Sequence, residues 1–111
     1  MSKIYLSELV KSLEQLADRE FQERAWLAEN GPEISSFSEQ VMQTFDDTGL
    51  SHAMDKGSVE NEIGVDAARA LKELDEAIGK VDDELPPKEL LDHASMQRVR
   101  DYAQRALQRL R

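Results

Sequence analysis

Apolar residues recur at helical spacing along most of the chain. Leu6, Leu9, Val10, Leu13, Leu16 and Ala17 fall on one face of a 3.6-residue repeat. They predict a first helix, with Ser7 placed to cap its start. Phe21, Ala25 and Ala28 continue the pattern, flanked by Trp26 and Leu27. That segment reads either as a second helix capped by Asp18 or as the far side of a bend. Asn30-Gly31-Pro32 stops it, because Gly accepts the left-handed conformation and Pro cannot extend a helix.

Residues 35–54, SSFSEQVMQTFDDTGLSHAM, carry the clearest helix signal. Ser36 stands three positions before Glu39, the spacing of a capping box. Phe37, Val41 and Phe45 follow at i, i+4 and i+8, with Met42 one step round and Gln40, Gln43 and Thr44 off the stripe. Asp46-Asp47-Thr48-Gly49 ends the helix, and Leu50, Ala53 and Met54 allow one more short turn before Lys56-Gly57. This stretch is expected to be the element around which the other helices pack.

Residues 58–64 fit no single period. Beyond them Val65, Ala68, Leu71, Leu74, Ile78 and Val81 mark another helix, with Arg69, Lys72, Glu73 and Glu76 outside. Asp82-Asp83-Glu84-Leu85-Pro86-Pro87 breaks the chain, and Pro87 holds Pro86 extended. Lys88 to Leu91 can make one turn. Ser95 is placed to cap a last helix carrying Met96, Val99, Ala103, Ala106 and Leu110, bordered by Tyr102 and Leu107. Four helical stripes separated by Gly or Pro stops, without an alternating strand pattern, predict an all-α fold. The expectation is one domain over residues 1–111, built from five or six short helices.

Charge adds an asymmetry. The net charge is −9 over 111 residues. Residues 25–68 hold Lys56 as their one cation against nine acids, whereas residues 69–111 balance nine of each sign. Asp46 and Asp47 stand at a helix C-terminus, where the dipole opposes them. Together with Glu39, Asp55, Glu60 and Glu62 they form the candidate partner-binding face. An acidic chain argues against nucleic acid or an anionic membrane surface and suits a partner with a basic surface. The last helix carries Arg98, Arg100, Arg105, Arg109 and Arg111, which are expected to meet the acidic middle of the chain or to support a homodimer.

Catalytic signals are sparse. His52 and His93 each have an aspartate close in sequence, Asp55 and Asp92, as a general base would need. No nucleophile elbow, phosphate loop, dinucleotide fingerprint or zinc-protease motif is present. Asp46-Asp47-Thr48-Gly49 lacks the alternating oxygen ligands of a calcium loop. With no cysteine, disulfides and thiolate metal sites are excluded. No cofactor or metal is expected, and the chain reads as a non-enzyme; a small enzyme or metal binder using His52 or His93 is the remaining alternative. No apolar run spans a bilayer or forms a signal peptide's core, which suits a bacterial-style cytoplasmic protein.

The run SSFSEQVMQTFDDTGL, followed by the D-x-E-L-P-P segment at residues 82–87, resembles a family of small uncharacterised bacterial proteins. That likeness spans most of the chain and transfers no catalytic residue. In its small, acidic, cysteine-free character the chain is also similar to immunity proteins that neutralise bacterial toxins. That resemblance implies an acidic protein-binding module that inhibits a basic partner, with a homodimeric accessory protein as the alternative.

Overall fold

A computed structural model of the protein describes residues 4–27 and 36–110. Ala28, the Asn30-Gly31-Pro32 stop and Arg111 lie outside the described residues. The elements are α1 (Leu6–Ala17), α2 (Arg19–Trp26), α3 (Phe37–Met42), a π-helical turn (Gln43–Asp47), α4 (Leu50–Lys56), α5 (Val59–Ile63), α6 (Val65–Gly79), α7 (Pro87–Asp92) and α8 (Ala94–Leu110). The fold is all-α, with no strand among the described residues. Counting α3 with its π continuation, six helices among the described residues reach seven residues or more.

α8, rather than the α3 stretch, is the organising helix. It packs more extensively on α6 and on α1 than any other two elements pack on each other. Met96, Val99, Ala103, Ala106 and Leu107 are buried along it. Ala67, Ala70 and Ala77 are buried on α6, and such small residues let two helix backbones approach closely. Leu9, Leu13 and Leu16 of α1 close the third side. One core cluster joins side chains from every element, including Phe21, Phe37, Phe45, Leu50, Val59 and Leu90.

The buried face of α3 is rotated from the Phe37–Val41–Phe45 stripe. Gln40 and Thr44 are buried, whereas Val41 is only half-buried and Met42 is 57% exposed. The reason is a polar partner on α1. Gln40 Nε2 donates to Ser12 Oγ at 3.1 Å, and the Thr44 hydroxyl donates to the Gln40 carbonyl at 2.8 Å. Ser12 Oγ and Thr44 Oγ1 are also hydrogen-bonded at 2.5 Å. Buried polar groups cost less when they bond to each other, so this seam replaces an apolar one, although Gln40 Oε1 stays buried without a partner among the described residues. In an unbroken α-helix Phe45 would lie about 80° round from Phe37. The wider π turn winds less per residue and brings Phe45 back into the core, where it is buried.

Helix boundaries follow local chemistry, with two corrections. Asp18 caps α2 by accepting from Phe21 N, and Ser36 Oγ accepts from Glu39 N, both as the sequence indicates. Ser7 does not cap α1, which starts one residue before it and has no side-chain cap. Ser95 does not cap α8 either; it lies buried within the first turn. His93 does that work, since its Nδ1 accepts from Ser95 N at 3.1 Å and contacts Ser95 Oγ at 2.8 Å. His93→Ala is therefore expected to cost on the order of 1 kcal/mol, as cap removal usually does, and His93→Asn to restore most of it. Urea melts of the two variants against the parent check this.

The unreadable stretch at 58–64 is α5 followed by Gly64, with φ 92° and ψ 163°. That region is essentially reserved for glycine. Gly64 turns the chain sharply enough for α6 to start at the next residue. Gly49, with φ 81°, makes the same kind of join between the π turn and α4.

Candidate functional site

α6 packs on α8 and α5, not closely on α3 or the π turn. The gap leaves a surface groove along the outer flank of α6. Ala68, Lys72 and Asp75, spaced i, i+4 and i+7, share that flank. Three adjoining cavities make up the groove. One end, about 270 Å³, is lined by Phe37, Val41, Met42, Asp46, Ile78, Val81 and Asp83. The middle, about 330 Å³, shares Val41, Met42 and Asp46 and adds Phe45, Ser51, Met54, Asp55 and Asp75. The far end, about 550 Å³, shares Met54 and Asp75 and adds Val59, Glu60, Val65, Ala68, Arg69, Lys72 and Glu76.

Apolar side chains make up the larger share of the lining, interrupted by Ser38 and Ser51, and the rim is mostly anionic. Asp46, Asp55, Asp75 and Asp83 border the first two cavities, with no cation among the described residues that line them. Arg69 and Lys72 enter only at the far end, which Glu60 and Glu76 also line. All six carboxylates belong to exposed residues. They are spread along the groove rather than converging: among the described residues no three His, Asp or Glu side chains could hold a metal ion together. The arrangement presents an extended negative potential over apolar surface.

Of the six acids singled out in the sequence, the structure brings Asp46, Asp55 and Glu60 to this groove. Asp47 is exposed on the same turn as Asp46 but lines none of the three cavities, and Glu39 stands on the first turn of α3, also outside them. Glu62 holds the fold together instead, since its carboxylate accepts from Ile4 N at 2.8 Å and from Ser58 Oγ at 3.2 Å. Asp75, Glu76 and Asp83 are the rim residues that sequence reasoning missed. All three come from the charge-balanced third of the chain, where a regional charge count gives no signal. The spare apolar width of α6 was the available hint. Val65 is exposed, whereas Ala68, Ile78 and Val81 are half-buried, packing against the core on one side and bordering the groove on the other.

The histidines lie elsewhere. His52 is exposed on α4 and lines none of the groove cavities. His93 is the α8 cap, and Asp92 beside it pairs with Arg19 of α2 rather than with the imidazole. That pairing, first through the hydrogen bond and then through charge, lowers the Asp92 pKa, while Glu23 and Asp92 raise that of Arg19. The α8 arginines with described partners do not meet the acidic middle of the chain as expected. Arg105 stacks on Tyr102 and pairs with Glu73 of α6 at 3.3 Å, and Arg100 is buried. No described helix is long and apolar enough to cross a membrane. Compared with protein-family models, curated proteins and solved structures, the chain matches none.

Proposed function

We propose that the protein is a non-enzymatic binding module whose acidic groove face receives a protein partner with a basic surface, in the manner of an immunity-type inhibitor that covers its target's site. The observation that supports this is the rim of Asp46, Asp55, Asp75 and Asp83 around an apolar floor, without a cation among the described residues lining those two cavities. Spread carboxylates over exposed apolar area suit a macromolecular surface better than a point cation or a small substrate. Charge complementarity of this kind acts mainly on encounter and on the choice of partner. Homodimerisation through the same face is the weaker reading, because self-pairing would set six carboxylates from each copy against only two cations, Arg69 and Lys72, of the other.

The test is to capture the partner from the source cell and measure its association kinetics at two salt concentrations. Asp46→Asn/Asp55→Asn should slow association and flatten its salt dependence while leaving the far-UV spectrum unchanged. Asp47→Asn, off the groove, should change the rate much less. An unaltered association rate for the double variant would sink the assignment.

A further inference from the structure

The groove narrows the kind of partner further. Every element that borders it is helical or a helix join, so its backbone donors and acceptors are largely taken up within the helices. An extended peptide gains affinity by pairing with a free sheet edge, and no strand exists here among the described residues. A helix needs no such pairing. It needs a row of side chains with grooves between them, which the outer flank of α6 supplies through Ala68, Lys72 and Asp75. Along that flank the cavities follow one another from Val81 to Val65. The 15 residues of α6 correspond to about 22 Å, roughly four helical turns.

Charge fixes the rest. The apolar floor calls for a stripe of large aliphatic side chains, and Met42 and Met54 can adapt to their shape. The four aspartates along two-thirds of the rim call for Lys or Arg beside that stripe. We propose, resting on the reading of this face as a protein-binding surface, that the occupant is a basic amphipathic helix of the partner. It lies along α6, with its apolar stripe in the three cavities and its cations over Asp46, Asp55, Asp75 and Asp83.

The proposal is tested on the intact protein with three synthetic peptides of about α6's length. One carries Leu at i, i+4, i+7 and i+11 with Lys on both flanks. The second has the same composition scrambled so that the stripe is lost. The third keeps the stripe and replaces Lys by Glu. The first should bind at physiological salt at least about tenfold more tightly than the second, as the loss of buried anchors implies. It should also gain helical signal on binding and shift the methyl resonances of Met42, Met54 and Ile78. Asp46→Asn/Asp75→Asn should weaken it and leave the protein's own spectrum unchanged.

Equal binding of the first two peptides without a gain of helix would overturn the helix-in-groove assignment, leaving a merely electrostatic face. Equal binding of the Glu peptide would overturn the role of the aspartates. If no peptide binds while the captured partner still shows Asp46- and Asp55-dependent association, the helix inference fails and the broader reading stands. If neither binds in that way, both fail.

Discussion

Phe45→Ala is expected to lower the free energy of unfolding by about 3–5 kcal/mol, the usual cost of emptying a buried phenylalanine site. Phe45 is 6% exposed and belongs to the core cluster. It sits on the π turn, which the polar seam to Ser12 fixes from one side and the Gly49 join from the other. One side of the ring borders the middle cavity of the groove, so part of the emptied space opens to solvent and the loss falls within that range rather than at its upper end. Domains of this size have about 5–15 kcal/mol to lose, so the variant should approach marginal stability. Met42 supplies the contrast. It lies three residues earlier but is 57% exposed, and Met42→Ala should change stability by no more than about 0.5 kcal/mol. Urea melts of both variants decide it. A loss below about 1 kcal/mol at Phe45 would mean that the ring is not packed as described.

The same pair of residues shows what periodicity could and could not reveal. A repeat of apolar residues reports a helix, and α1, α6 and α8 are present where the sequence puts them; it fixes the buried side less well, since of the α6 stripe only Leu71 and Leu74 are buried. It does not report what lies opposite. Gln40 and Thr44 look like surface residues until Ser12 of α1 is placed against them. Val65, Ile78 and Val81 look like full core until Val65 is seen to be exposed and Ile78 and Val81 to be shared between the core's edge and the groove. Helix ends behaved similarly. Asp18 and Ser36 were legible because each cap lies within three residues of its donor. His93 was not, because a histidine cap competes with the more common serine reading two positions later. The groove was half legible. Asp46, Asp55 and Glu60 lie in the acidic middle segment, but Asp75 and Asp83 reach the same rim from a region with no net charge.

The buried cation on α8 gives the second large expected effect. Arg100 looks from the sequence like one of five basic surface residues, yet it is 4% exposed. Its guanidinium bonds to neutral acceptors. Nε donates to Gln22 Oε1 at 2.7 Å, one terminal nitrogen to Gln97 Oε1 at 3.1 Å and the other to the Leu91 carbonyl at 2.9 Å. The Gln22 amide in turn donates to the carbonyls of Gln15 and Leu16. These carbonyls belong to the last turns of α7 and α1, where helices leave acceptors short of internal partners; that of Gln15 also accepts from Asp18 N at 3.2 Å. Arg100 and Gln22 thus close two helix ends at once and tie α1, α2, α7 and α8 together. Burial pushes the Arg100 pKa below its ordinary value, and the nearby Arg19 cation pushes the same way; an arginine remains charged under such pressure.

Arg100→Ala should accordingly cost about 3–5 kcal/mol, since it empties a buried site and strands buried acceptors. Arg100→Met should recover part of that by refilling the space but not the hydrogen bonds, and Arg100→Lys should also fall short because an ammonium lacks the planar fork. The measurements are urea melts of the three variants, together with hydrogen exchange of the Arg100 Nε proton, which should be strongly protected in the parent. A fast-exchanging Nε proton, or an alanine variant within about 1 kcal/mol of the parent, would show that the guanidinium sits in water. The order Arg above Met above Ala would instead show that hydrogen bonding and packing both contribute, and that the positive charge of Arg100 serves helix ends inside the fold rather than a surface outside it.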